Sequence, residues 1–255
     1  MYNLTIPFNN KTVKLKPVTV QDTLDFFYLG DDLTTIINKL ESFIITKDLS
    51  LLEKLYSLFY LRDTCVGSLI NLKDFAIDIN VFLSEFEEII DIEKKLKIDN
   101  FIIELDYPYN FSLRDNDETD LIKSIEIDNE KVILNNLNKK DRGDILNNLP
   151  LSLLQQIKNY KSDNENNLRI NFKAKGNNYI LKYLSTDLVY FLKNIFTALN
   201  PYTYRHYIFQ LSKRMHDINF LTSQSTLVDL QDYLDLYIKE SEESKGIDEN
   251  NLDGF

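Results

Sequence analysis

Leu51, Leu52, Leu55, Tyr56, Leu58, Phe59 and Leu61 fall within eleven consecutive residues and leave almost no polar face. At helical spacing such a run is apolar on more than one side, so the helix it predicts has to be wrapped by other elements. Asp48 or Ser50 starts it and Gly67 closes it. The rest of the chain must supply the covering shell, and it has the material. Its 255 residues are 44% hydrophobic and 27% charged, the balance of an ordinary globular protein. No stretch reaches the roughly 18 consecutive apolar residues of a membrane span, so no integral membrane protein is expected. Cys65 is the sole cysteine, which excludes an internal disulfide framework and a multi-cysteine zinc knuckle. The first residues lack a basic segment followed by an apolar run, so no secretory signal is expected.

The shell reads as short hairpins and amphipathic helices. Tyr2, Leu4 and Ile6 alternate with polar residues, Asn9-Asn10 supplies a turn, and Val13 and Leu15 complete a hairpin that Pro17 ends. Thr19 or Asp22 caps a helix carrying Leu24, Phe27 and Tyr28, and Gly30-Asp31-Asp32 breaks it. Ile36, Ile37, Leu40 and Phe43 mark a second helix. Leu69–Ile79 reads as a strand pair, Val81–Lys95 as a helix, and Phe101–Tyr107 as a strand stopped by Pro108. Leu121–Leu134 folds back at Asp128-Asn129, Asp141 or Asp144 opens a helix, and Leu151–Tyr160 forms another. Leu168–Phe172 and Tyr179–Tyr183 make a further hairpin. Thr186 or Asp187 caps an apolar helix, and Tyr204–Met215 and Leu227–Tyr237 complete a helical last third. The predicted class is α+β, mostly helical, with several small antiparallel hairpins. Four parts are expected: an α+β region 1–114, a middle hairpin and helix segment 115–184, a helical region 185–240 and a disordered acidic tail 241–255.

Chemistry-bearing patterns are scarce. There are six glycines and no phosphate-cradling loop, and Gly-x-Ser-x-Gly is absent. His206 and His216 lie ten residues apart and diverge by about 80° on a continuous helix, so they do not aim at one metal. Cys65 has no histidine nearby in sequence and reads as a small buried hydrophobe. Asp229, Asp232 and Asp235, like Glu85, Glu87 and Glu88, read as solvated helix faces, and Asp31-Asp32 lacks the calcium-loop pattern. No catalytic residue, metal or cofactor is expected, and no enzyme. The net charge of −11 argues against nucleic acid and anionic membranes as partners.

One cluster departs from this acidity. Arg205, Lys213 and Arg214 lie near Tyr202, Tyr204 and Tyr207. Basic residues among aromatics can hold single-stranded nucleic acid, but tyrosine and arginine also dominate protein interfaces, and the overall charge favours protein. The Leu227, Leu230, Leu234 and Tyr237 stripe is read first as an intramolecular core face, otherwise as a surface for a partner helix. Candidate partner contacts are therefore Tyr202, Tyr204, Arg205, Tyr207, Arg214, Leu227, Leu230 and Leu234.

Three segments carry a family resemblance. Tyr2–Asp22 looks like a strand–turn–strand followed by a Pro-x-Thr-type entry into a helix. Leu52–Gly67 looks like a helix ending in Leu-Arg-x-x-Ser-Val-Gly, with Cys65 at the Ser position. Phe101–Pro108 looks like a strand ending in Tyr-Pro. Together they resemble the baseplate hub and hub-assembly proteins of T-even-type myophages, over roughly residues 1–110. Residues 112–182 match nothing in that pattern and read as a lineage-specific insertion. The resemblance implies a non-enzymatic phage tail protein that assists hub assembly through contacts with other hub or tail proteins in the host bacterial cytoplasm. A subunit retained in the virion and a phage accessory nucleic-acid-binding protein stay as alternatives, and self-association stays open. The 27 asparagines beside three alanines suit an AT-rich genome.

Overall fold

In the computed structural model, which describes residues 1–72, 75–86, 89–174, 176–197 and 201–250, strand β1 (Tyr2–Thr5) pairs antiparallel with β2 (Thr12–Leu15). Their turn places Asn10 at φ 57°, a left-handed conformation that asparagine tolerates. Helix α1 (Val20–Tyr28) opens on a reciprocal capping box. The Asp22 amide donates to Thr19 Oγ1 at 3.2 Å, and the Thr19 amide donates to Asp22 Oδ2 at 3.0 Å. Such a cap stabilises a helix by about 1 kcal/mol. Asp32 caps α2 (Leu33–Glu41) and Ser50 caps α3 (Leu51–Val66). Gly67 ends α3 at φ 107°, a conformation a residue with a Cβ resists.

The prediction that α3 is wrapped holds. Leu51, Leu52, Leu55, Leu58, Phe59, Leu61 and Cys65 are all buried. The hairpin β3 (Leu69–Leu72) with β4 (Phe75–Asp78) follows it, and then the short helix α4 (Asn80–Ser84). The helix expected over 81–95 stops at Ser84. Asp91 Oδ1 accepts the Glu93 amide at 2.8 Å, and the chain extends into β5 (Lys94–Ile98). Lys95-Leu96-Lys97-Ile98 alternates with period two, and pairing with β6 (Phe101–Leu105) overrides the helical spacing upstream. The expected acids Glu87 and Glu88 lie outside the described residues.

Strands β7 (Ile122–Ile127) and β8 (Glu130–Ile133) complete a four-stranded antiparallel sheet in the order β5-β6-β7-β8. Asp128 at φ 50° and Asn129 at φ 72° form the tight turn between them, as their sequence indicated. Next come α5 (Lys139–Asn147), α6 (Leu151–Asp163), the hairpin β9 (Arg169–Ala174) with β10 (Asn177–Lys182), α7 (Thr186–Phe196), α8 (Pro201–Met215) and α9 (Leu227–Asn250). Helix α5 starts before the expected Asp141, because the Asn138 side chain accepts from the Lys140 and Asp141 amides. Ser185, rather than Thr186 or Asp187, caps α7. With 52% helix and 20% strand in sheets of two to four strands, the α+β class read from the sequence is correct.

The expected break at 114/115 is bridged on both sides. β6 pairs with β7 across it. Asp115 Oδ1 accepts the Thr186 amide at 2.8 Å, and the Asn116 amide donates to the Leu184 carbonyl at 2.8 Å. One apolar core runs from Leu4 to Phe196, with Phe26, Phe43 and Phe196 in mutual ring contact. The acidic tail expected to be disordered over 241–255 continues α9 as far as Asn250, and 251–255 lie outside the described residues.

Candidate protein-interaction surface

A second, smaller core holds the last third of the chain in place. Val20 and Leu24 of α1, Ile208 and Leu211 of α8, Leu221, and Leu227, Leu230 and Leu234 of α9 are buried together. The α8–α9 connection contains a π-helical turn, Phe220–Gln224. The Ser225 carbonyl then accepts the Val20 amide at 2.9 Å, tying the entry to α9 onto the start of α1. Thr226 and Asp229 cap α9 reciprocally: the Asp229 amide donates to Thr226 Oγ1, and the Thr226 amide donates to Asp229 Oδ2 at 2.8 Å.

This arrangement corrects part of the expected contact set. Leu227, Leu230 and Leu234 are buried within the chain, so their stripe is the intramolecular core face and offers nothing to a partner helix. Tyr204 packs partly buried against the same core, and burial pushes its phenol above its ordinary pKa. Tyr202, by contrast, is 74% exposed, and Arg205, His206 and Tyr207 are exposed beside it. Arg214 bonds Glu240 of α9 in an ion pair and lies 5.7 Å from the Tyr237 ring centre. Arg205 sits 5.3 Å from the centre of the Tyr28 ring, and Lys213 Nζ sits 4.4 Å from that of Phe209. The cations are thus held over aromatic faces, an arrangement worth about 0.5–1 kcal/mol each at an exposed site.

Three aromatic residues that the sequence reading passed over or misplaced also belong here. Phe27 and Tyr28, expected on one face with Leu24, are exposed while Leu24 is buried, because Phe26 fills the core at that turn. Phe209 is 54% exposed. At about 100° per residue, Tyr202, His206, Phe209 and Lys213 share one face of α8, opposite Ile208 and Leu211. The seven-residue spacing of Tyr202 and Phe209 was the available signal. It marks a second aromatic stripe on a helix that already has a core face.

Two cavities lie along the α8–α9 seam. One, of about 130 Å³, is lined by Leu211, Arg214, Tyr233, Leu236 and Glu240 among others. The other, of about 230 Å³, includes Val66, Tyr204, Leu230 and Asp232. Elsewhere, two grooves share Asp48, Tyr109 and Asn135. Several of their lysines are spent on carboxylates, as in Lys54–Glu41 at 2.6 Å and Lys131–Glu104 at 2.7 Å. Among the described residues no group of three His, Cys, Asp or Glu is placed to hold a metal ion, and no helix is long and apolar enough to cross a membrane.

The chain matches no family model, no curated protein and no solved structure.

Proposed function

We propose that this chain is a non-enzymatic phage tail protein that assists assembly of the baseplate central hub through protein–protein contacts in the host bacterial cytoplasm. The observation that carries the reading is the exposed aromatic and basic face of α8, with Tyr202 and Phe209 presented on a helix anchored by its opposite side. Large aromatic side chains held on a rigid element are the anchors from which protein interfaces are built. The resemblance over residues 1–110 supplies the kind of partner. The elements it implies are the hairpin of β1 and β2, a helix ending at Gly67 and a strand before Tyr107-Pro108, and all are present in the fold.

Nucleic acid is the weaker occupant. Arg214 is offset by Glu240, and the acidic helix α9 lies alongside α8. That leaves Arg205 and Lys213, too few beside the acids of α9 to make a phosphate-backbone site.

The experiment is co-expression of the tagged chain with baseplate hub proteins of a T-even-type myophage, followed by purification of the complex. Retention of a hub protein, weakened at least tenfold by Tyr202→Ala with Phe209→Ala, supports the proposal. No retention of any hub or tail protein overturns it. Mass spectrometry of finished particles then separates the two forms of the idea: absence marks an assembly factor, presence a retained subunit.

A further inference from the structure

From Arg169 to Lys182 the sequence also carries Lys173 and Lys175 and not one carboxylate, in a chain of net charge −11. Most of that segment forms the hairpin of β9 and β10, and the pairing sorts its residues by face. Ile170, Phe172 and Leu181 are buried, and the Tyr179 ring stacks on Phe172 with centres 5.3 Å apart. This side fastens the ribbon to the main core. With a period of two, the other side presents Arg169, Asn171 and Lys173 from β9 and Asn178, Ile180 and Lys182 from β10. Lys175 lies outside the described residues.

The charges of the outer face are only partly answered within the chain. Arg169 and Lys182 stand directly opposite each other across the ladder, and like charges so placed weaken a sheet. Glu165 pairs with Lys182 at 3.3 Å. Among the described residues, Arg169 and Lys173 have no carboxylate within ion-pair distance, and Arg169 donates to the neutral side chain of Asn166. The side-chain amides of Asn171 and Asn178 are exposed and unbonded among the described residues. A ribbon anchored by its inner face thus offers cations and amides to an anionic ligand.

We propose that this ribbon binds duplex DNA, its outer face lying in the major groove. That groove is about 12 Å wide and admits a two-stranded β-ribbon. Arginine and lysine reach phosphates or guanine there, and asparagine bonds the edge of adenine. The chemistry of the face disfavours other anionic occupants. An acidic protein would find Ile180 as its apolar contact, whereas protein interfaces are poor in lysine and anchored by aromatics. Single-stranded nucleic acid is held by stacking on aromatic rings, and Phe172 and Tyr179 pack toward the core. An RNA duplex has a major groove too narrow for side chains to read. Helix α8 has the acids of α9 alongside it, but the hairpin carries none of its own, so it reverses the sign of the average surface locally. The hairpin is a separate element from α8, and the proposal does not rest on the hub reading.

Fluorescence anisotropy of the full chain with a labelled DNA duplex of about 20 base pairs, between about 50 and 200 mM salt, tests it. The expected result is micromolar binding whose logarithm falls with the logarithm of salt at a slope of about −3, roughly −0.9 for each of Arg169, Lys173 and Lys182. Lys173→Glu weakens binding at least tenfold, while Lys213→Glu on α8 leaves it unchanged. Both positions are exposed, and circular dichroism and melting temperature equal to the parent's show that the variants are folded. A DNA single strand and an RNA duplex of the same length bind at least fivefold less tightly. Absence of duplex binding at about 50 mM salt overturns the proposal. So does binding that Lys173→Glu leaves intact, or a single strand or RNA duplex that binds as tightly as the DNA duplex.

Discussion

The guanidinium of Arg62 donates to the Leu69 carbonyl at 2.8 Å, at a site where Arg62 is only 6% exposed. A second nitrogen of the same group donates to the carbonyl of Gly67. The fork thus holds the turn between α3 and β3, just where α3 meets the smaller core through Val66. Burial pulls the Arg62 pKa down to about 10, against the raising influence of Tyr204 and Asp63, so the group is charged at neutral pH. Among the described residues its Nε has no hydrogen-bond partner, which leaves the two carbonyls as its main compensation.

Arg62→Met should therefore cost about 1–3 kcal/mol, because it removes a buried group that ties the end of α3 to the Gly67 and Leu69 carbonyls while keeping most of the apolar stem. Arg62→Lys should recover only part of this, since an ammonium lacks the planar fork. Arg205→Ala, at an exposed position, should change stability by less than about 0.5 kcal/mol. Urea denaturation of the three variants measures the difference. Equal effects at positions 62 and 205 would contradict the structural role assigned to the fork.

Arg62 also shows where sequence reading stops. The wrapped helix was visible because its apolar residues crowd one short window, and the Ser50 start and Gly67 end follow from capping chemistry. Nothing local marks Arg62 as buried, because its partners are backbone carbonyls presented by a turn. The same holds at Phe26 and Phe27. Both satisfy an amphipathic pattern, and only packing against Phe43 and Phe196 decides which one is inside. In the candidate surface, Tyr202 and Arg205 were legible as residue types. The Leu227, Leu230 and Leu234 stripe was legible as a core face, but its packing against Val20 and Leu24 of α1 is a long-range contact that periodicity does not encode.

Cys65 offers a second test. Its thiol is buried, its sulfur lies 3.8 Å from the Tyr2 hydroxyl, and burial raises its pKa. A thiol-specific reagent should label the native protein at least a hundredfold more slowly than the urea-unfolded chain, because the thiolate is disfavoured and access requires opening. Tyr2→Phe should leave this protection in place, since burial is the leading cause. Rapid labelling of the native state would place Cys65 at the surface instead.

Glu104 contributes to stability in acid. Hydrogen bonds from Lys131, Ser124 and Lys95 hold its pKa down to about 2, from an ordinary value of 4.5. A carboxyl whose folded pKa is depressed contributes stability that is present above its unfolded pKa and lost as pH falls toward the folded one. Glu104→Gln should therefore destabilise the sheet at pH 7 and flatten the stability curve between about 4.5 and 2. Equilibrium unfolding across that interval reads the slope. A variant that loses stability on acidification as steeply as the parent would remove Glu104 from this role.

Asp120 works in the opposite direction. It is largely buried beside the start of β7, where Arg142 donates to its Oδ1 at 3.2 Å. The Ser112 hydroxyl donates to the Arg114 carbonyl, and Asp120 Oδ2 has no hydrogen-bond partner among the described residues. Burial first, and the nearby Asp117 second, push its pKa up to about 6 from 3.8, and the Arg142 cation only partly offsets them. The folded state therefore holds this proton more tightly than the unfolded chain does. Its contribution is fully present below about pH 3.8 and declines as pH rises toward 6, by on the order of 1–3 kcal/mol. Asp120→Asn removes the titration while keeping shape and an acceptor for Arg142. The raised pKa means that the neutral form suits this site better than the charged one, so the amide should match or exceed the parent in stability at pH 7. Because Glu104 and Asp22 titrate at lower pH, the informative quantity is the difference between parent and variant from pH 4 to 6.5. A difference that stays constant over that range would mean that Asp120 is ionised throughout, and that Arg142 rather than burial controls it.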